Sequence, residues 1–344
     1  MCDVMVDIER WLANGDTVAI ATVIQTWGSA PRRSGAKMAI SAHGKISGSV
    51  SGGCVEGAVA EAAAEVLSSG RAQLLHFGVA DEMAWEVGLA CGGKIDVFVQ
   101  PVRADTLQIV RAGAELPCVT ITVVRGLEPS LGRQIVVHED GEQLGTLGSG
   151  LDETALTQAS IALSEGRSCR HVMKGGTELF VELRRPPSTL VVVGGVHIAI
   201  PLVTMARDLG YRTVVVDPRR SFGSEERFPD VDQLLHSWPD RALTALQLDD
   251  SVAVAVLTHD PKLDDPALRV ALPSPAFYVG ALGSRSTNTK RRERLLAAGL
   301  AVEHLDRLRA PIGLDLGGSS PREIALSVLA EILSVQHNRQ EALA

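Results

Sequence analysis

The apolar positions of this chain gather into short runs, separated by glycine-rich turns and by stretches of helical spacing. Thr17-Val-Ala-Ile-Ala-Thr-Val-Ile24 and Cys118-Val-Thr-Ile-Thr-Val-Val124 are dominated by β-branched residues and predict strands. Ile95-Asp-Val-Phe-Val99 predicts a third. The runs of the second half are purer. Thr189-Leu-Val-Val-Val193 leads through a glycine turn into a helix start, and Arg212-Thr-Val-Val-Val-Asp217 is a second strand that ends in an acid. Val252-Ala-Val-Ala-Val-Leu257 and Phe277-Tyr-Val-Gly-Ala-Leu282 follow, with helical stretches between them. Alternation of this kind predicts βαβ units and a doubly wound parallel sheet of Rossmann type. The final helix opens at Ser320-Pro-Arg-Glu323, a capping box with proline at the first helical position.

Arg184-Arg-Pro-Pro-Ser188 breaks the pattern, because two prolines continue neither a strand nor a helix. The expected domains are therefore 1–185 and 188–337. An internal duplication divides the first into about 15–101 and 116–183. Gly44, Gly48, Gly53 and Glu56 recur about 97 residues later as Gly141, Gly145, Gly150 and Glu153. On that pairing Cys54 meets Leu151. The helices after both turns end in Gly-Arg, at Gly70-Arg71 and Gly166-Arg167. The period is too long for a solenoid. The expected fold class is α/β: an N-terminal duplicated α/β domain followed by a C-terminal Rossmann-like doubly wound parallel sheet.

Composition narrows the function. Of 344 residues, 45% are hydrophobic and 22% charged, enough apolar material for a sizeable core. The formal net charge is -8 with no basic tract, which argues against a nucleic acid or an anionic membrane as partner. No apolar run approaches the roughly 18 residues of a membrane span. The acidic, mixed stretch Met1–Arg10 does not read as a signal peptide, so a cytoplasmic location is expected. Cysteines stand at 2, 54, 91, 118 and 169, form no CxxC pair and lack a histidine cluster. Neither a disulfide framework nor a zinc site is expected.

Candidate chemistry concentrates in three stretches of the first domain. Gly48-Ser-Val-Ser-Gly-Gly-Cys-Val-Glu56 places Cys54 behind the pair Gly52-Gly53 and ahead of a helix. A helix N-terminus favours a nearby anion, thiolate included; the same stretch also reads as a tight turn with a small packed cysteine. Trp27-Gly-Ser-Ala-Pro-Arg-Arg-Ser-Gly-Ala-Lys37 offers Arg32, Arg33 and Lys37 in a loop that contains Pro31. Arginines in such a loop suit a phosphate; a solvated basic loop is the plainer reading. Gly88-Leu-Ala-Cys-Gly-Gly93 adds a second cysteine, Cys91, beside Gly92 and Gly93. In the second domain Gly194-Gly195-Val196-His197 follows the first strand, and Asp217 lies where a ribose-binding carboxylate belongs. The loops carrying Thr258-His259, Gly283-Ser-Arg285 and Asp315 lie at carboxyl ends of strands, where open α/β sheets bind ligands.

Together these motifs resemble the xanthine dehydrogenase accessory protein family, XdhC/CoxI. The resemblance rests on residues 28–38, 48–59, 88–93, 194–202, 214–222, 278–285 and 310–318, and so spans nearly the whole chain. It implies a protein that binds the molybdenum cofactor, holds it while a sulfur is added, and hands it to a molybdenum hydroxylase apoenzyme. A cysteine desulfurase would be a second partner, and a homodimer the expected assembly. Cys54 would be a molybdenum ligand or sulfur carrier, with Cys91 as its companion. The glycine turn with Gly52 and Gly53, and Arg32 or Arg33, would hold the phosphate of the pterin, and Gly92 and Gly93 would also bind the cofactor. Gly194, Gly195, His197, Asp217, Gly283, Arg285 and Asp315 would form an NAD(P)-type site. The family usually has Gly-Ala-Gly-His where this chain has Gly194-Gly195-Val196-His197, and Val196 replaces the glycine that lets a backbone approach pyrophosphate. The alternatives are an NAD(P)-dependent oxidoreductase and a nucleotide-responsive sensor or scaffold without catalysis. A cofactor chaperone is expected ahead of a turnover enzyme.

Overall fold

The computed structural model describes residues 2–29, 32–78, 93–112, 117–127, 129–148 and 150–342. The chain forms two compact units, Met1–Pro186 and Pro187–Ala344.

The first unit holds two sheets built to one plan. Helix α1 (Cys2–Ala13) precedes β1 (Val18–Trp27), β2 (Lys37–Ser41) and β3 (Ile46–Gly48). Helix α2 (Glu56–Ser69) follows, then β4 (Gln73–Phe77) and β5 (Lys94–Pro101). The plan repeats as α3 (Ala104–Ala112), β6 (Cys118–Arg125), β7 (Gln134–His138) and β8 (Gln143–Gly145). It closes with α4 (Asp152–Glu165), β9 (Cys169–Val172) and β10 (Glu178–Arg184). The strand orders are β3-β2-β1-β5-β4 and β8-β7-β6-β10-β9, antiparallel at each pairing. The repeat therefore begins earlier than residue 15. Helix α1 packs on β2 and β3 as α3 packs on β7 and β8, although the two helices share no sequence pattern.

Antiparallel strands usually alternate apolar and polar residues, because one face is wet. Here both faces are covered, which accounts for the nearly continuous apolar runs. Ala19, Ala21 and Val23 meet Val59, Ala63 and Val66 of α2 on one face. Val18 and Ile20 meet Val4, Ile8 and Trp11 of α1 on the other. That second face continues against the sister sheet, where Ile24 and Phe98 pack with Val124 and Phe180. A buried polar seam accompanies this contact. Arg170 donates to Asp96 at 2.6 Å, to Gln25 at 2.9 Å and to Glu178 at 2.6 Å. Lys37 donates to Glu182 at 2.8 Å, with the two side chains 8% and 11% exposed.

The second unit is a six-stranded, all-parallel sheet. Its elements are β11 (Thr189–Val193), α5 (Ala199–Asp208), β12 (Arg212–Val216), β13 (Gln233–Leu235) and α6 (Pro239–Ala245). They continue with β14 (Val252–Val256), α7 (Pro261–Ala271), β15 (Tyr278–Ala281) and α8 (Arg285–Ala297). Helix α9 (Val302–Leu305), β16 (Leu308–Arg309) and α10 (Pro321–Ala342) complete it. The order β13-β12-β11-β14-β15-β16 is the Rossmann order, with its switch point between β11 and β14. Leu202, Val203, Val328 and Leu329 of α5 and α10 cover one face, and Leu243, Leu268 and Leu295 of α6, α7 and α8 cover the other. The capping box forms as expected: Glu323 accepts from the Ser320 amide at 2.8 Å, and its own amide donates to Ser320 Oγ at 3.3 Å.

Candidate functional site

Strand register gathers the candidate stretches of the first unit at one end of its first sheet. Thr22 pairs with Lys37 and Met38 with Gly48, so the loop after β1 and the turn after β3 leave from the same end. Trp27 pairs with Lys94 and Phe77 with Ile95, so the segment joining β4 to β5 is flanked there too. Arg32, Arg33 and Cys54 are exposed, and Gly93 is buried just before β5. Cys91, Gly92 and Pro31 lie outside the described residues.

The turn after β3 closes around its own carboxylate. Glu56, the first residue of α2, accepts from the backbone amides of Ser51 (2.9 Å), Gly52 (3.0 Å) and Gly53 (2.8 Å), and from Val50 and Val55 at 3.3 and 3.2 Å. The hydroxyls of Ser49 and Ser51 add bonds of 2.7 and 2.5 Å. Burial pushes this carboxyl upward, but the donors from Ser51 and Ser49 outweigh it and hold the pKa at about 2. Gly52 and Gly53 take φ of 84° and 122°, which an L side chain rarely adopts, and so aim successive amides inward. The anion that this nest binds is therefore internal. The amides of Gly52 and Gly53, expected to face a phosphate, face Glu56 instead. What the turn offers outward is the free thiol of Cys54, whose amide is tied to Ser51 Oγ at 3.0 Å.

The sister turn corrects the sequence pairing. There Asp152, the first residue of α4, accepts from Leu147 N at 2.7 Å and Thr146 Oγ1 at 2.6 Å. Asp152, not Glu153, is thus the counterpart of Glu56. The residues preceding the two helices are Val55 and Leu151, both packed into their cores, so Leu151 corresponds to Val55 and not to Cys54. The first turn runs over residues 49–55 and the second over 146–151. The first turn is one residue longer, and the residue directly before Leu151 is Gly150 where Cys54 precedes Val55. A cavity of about 340 Å³ opens at this end of the second sheet, lined by Leu127, Leu151, Gly175 and Gly176.

In the basic loop, Lys37 is a further correction. It is the first residue of β2, and its amine is engaged by Glu182 on the sister sheet. The loop's cationic contribution falls to Arg32 and Arg33. Sequence reading also missed Asp96, Glu178 and Arg170, because a charge network between two sheets leaves no local periodicity.

In the second unit Asp217 is a brace. Its fully buried carboxylate accepts from Gly195 N at 2.9 Å and from Arg219 through N (2.9 Å), Nε (2.9 Å) and Nη2 (2.7 Å). Burial raises its pKa, and the Arg219 hydrogen bonds more than reverse this, leaving it lowered. These partners occupy the oxygens expected to bind a ribose. The glycine pair is set by close approach of the chain itself: a Cβ on Gly194 would stand 2.3 Å from Thr258 Cγ2, and one on Gly195 2.4 Å from Phe222 O. His197, Arg285 and Asp315 are exposed on loops or at a helix start at the carboxyl ends of β11, β15 and β16, and Gly283 lies between β15 and α8. Among the described residues, no group of three or more His, Cys, Asp or Glu side chains is placed to hold a metal ion. Nor is any described helix long and apolar enough to cross a membrane.

A Rossmann unit joined to a duplicated antiparallel unit, whose first glycine turn carries a free thiol, defines a class of protein that comparison makes specific. The family of the XdhC Rossmann domain matches residues 190–332, and the XdhC and CoxI family matches residues 11–78. The chain belongs to the XdhC/CoxI family. It is 26% identical to a probable xanthine dehydrogenase component of Bacillus subtilis over 96% of each chain. It is 29% identical to the molybdenum cofactor insertion chaperone PaoD of Escherichia coli, over 96% of this chain and 87% of that one. The crystal structure of a xanthine dehydrogenase from Bacillus halodurans superposes with a TM-score of 0.77 at 24% identity, covering 99% of this chain and 98% of the other, a likeness of fold.

Proposed function

We propose that this chain is a maturation factor that binds the molybdenum cofactor as cargo and delivers it to a molybdenum hydroxylase apoenzyme. The name of one relative, a molybdenum cofactor insertion chaperone, supports a maturation role. The observation that carries the finer reading is the exposed Cys54 thiol, lifted out of a turn whose amides close on Glu56. The residues fit such a cargo. Molybdenum prefers soft sulfur donors, and Cys54 supplies one. A pterin phosphate needs cationic donors, and Arg32 and Arg33 leave the same end of the sheet. Glu56 holds the turn rigid, so that the thiol is presented without ordering cost when cargo arrives. In this reading the chain shelters the cofactor while a cysteine desulfurase supplies sulfur, and then releases it to the apoenzyme.

The test is transfer. Protein purified from cells that make the cofactor is mixed with cofactor-free hydroxylase, and the recovered hydroxylase activity is measured. Activation by the wild type and about tenfold less by Cys54→Ala or by Arg32→Gln/Arg33→Gln is expected. Equal activation by all three proteins contradicts the assignment of these residues.

A further inference from the structure

We propose a second anion site in the first unit, separate from the Cys54 end and suited to a small phosphate-bearing molecule. A cleft of about 560 Å³ runs between residues 70–72, the start of α3 and the β7–β8 region. Gln73 pairs with Val99, so residues 70–72 and Pro101 lie at the opposite end of the first sheet from Cys54. Arg71, Arg103 and Arg133 line the cleft together, with Gln100, Gln134 and one acid, Asp105. Arg170, Arg219 and Arg291, at least partly buried, are ion-paired, whereas Arg71, Arg103 and Arg133 are exposed. These three are different: none has an acidic partner within 4.0 Å among the described residues, and Arg103 donates only to the carbonyl of Gly70 at 2.9 Å. Three guanidinium groups without acidic partners on one cleft concentrate positive charge there, which suits an anion.

The floor of the cleft adds a second, independent sign. Gln134 Oε1 is buried without a hydrogen-bond partner, while its Nε2 donates to Thr122 Oγ1 at 2.9 Å. A buried unpaired acceptor is costly and calls for a donor. A hydroxyl or N–H group next to a phosphate supplies one. With the amide turned over, Thr122 donates to the oxygen and the freed NH2 faces the phosphate. Comparison of the two copies sharpens the point. Where the first copy has the Lys37–Glu182 ion pair, the related positions in the second are Gln134 and Gln100, neutral groups that leave the nearby arginines uncompensated. The expected ligand class is a phosphate ester or diphosphate.

Inorganic pyrophosphate titrated into the full-length chain by calorimetry, at matched ionic strength, tests this. Saturable binding is expected, weakened about tenfold or more by Arg71→Gln/Arg133→Gln and unchanged by Arg269→Gln, an exposed arginine of α7. Arg71→Gln alone carries the same expectation with a smaller loss, should the double variant be unstable. Failure of the wild type to bind overturns the proposal. So does equal binding by the arginine variants, or a loss confined to Arg32→Gln, which places the anion at the Cys54 end.

Discussion

The two copies inside the first unit share strand order, helices and the glycine turn, yet differ at the tip of that turn. In both, a carboxylate at the first helical position gathers the donors of the turn, Glu56 in one and Asp152 in the other. In both, the glycine that ends the short third strand is pinned by sterics. A Cβ on Gly48 would stand 2.4 Å from Lys37 O, and one on Gly145 2.5 Å from Gln134 O. These shared features are scaffold. The differences are the longer first turn with Cys54, the basic loop with Arg32 and Arg33, and the longer β4–β5 connection at residues 78–93 against 173–177 in the sister. Duplication thus supplies an internal control: what recurs holds the fold, and what one copy alone keeps is where chemistry belongs.

The comparison makes its largest demand on the shared glycines. Gly48→Ala and Gly145→Ala each force a methyl group into a carbonyl at φ of 77° and 90°, and each is expected to cost about 3 kcal/mol or more in urea unfolding. A large effect at one site only breaks the equivalence. Next is the seam between the sheets. Lys37→Met leaves Glu182 buried without its partner and should cost about 3 kcal/mol, whereas Gln134→Met removes a neutral hydrogen bond and should cost about 1 kcal/mol.

The turn carboxylates come third. Glu56→Gln is expected to cost about 2 kcal/mol and Asp152→Asn about 1 kcal/mol, since the former gathers more donors. Glu56 also sets a pH dependence. Its folded pKa of about 2 lies below the ordinary 4.5, so its stabilisation is full above pH 4.5 and is lost as pH falls toward 2. Unfolding titrations of Glu56→Gln should lack that part of the acid slope. The smallest effect is on Cys54→Ala, within about 0.5 kcal/mol of wild type because the side chain is exposed. In alkylation at neutral pH, Cys54 should react well before Cys118, which is fully buried, and before Cys169; burial pushes both of those thiols up.

Much of this fold is written in local pattern. The second unit's strands appear as continuous apolar runs because a parallel sheet is covered on both faces, and the duplication appears because glycines with positive φ have no substitute. Other features are silent for a physical reason. Helices α1 and α3 occupy one place in the repeat but match only in which apolar residues face their sheets, Val4 in one and Ile109 in the other. A one-residue difference in turn length hid the equivalence of Glu56 and Asp152, because glycine alignment fixes the start of the turn and the helix fixes its end. At the candidate site, the sequence marked Cys54 and its glycines but not the direction of their amides, which depends on φ at Gly52 and Gly53. Asp217 lies at the expected position, and only the structure reveals that Arg219 and Gly195 already occupy its oxygens. The motif Asp217-Pro-Arg219 was the available sign, since an arginine two residues on reaches back to such a carboxylate.

The most direct measurement is the molybdenum and oxidised-pterin content of protein purified anaerobically from cells that make the cofactor, compared for wild type, Cys54→Ala and Leu151→Ala. The account predicts both components in the wild type, both retained in Leu151→Ala, and both lost in a folded Cys54→Ala. Cofactor retained in Cys54→Ala to the wild-type level contradicts it, and makes the first turn scaffold like the second.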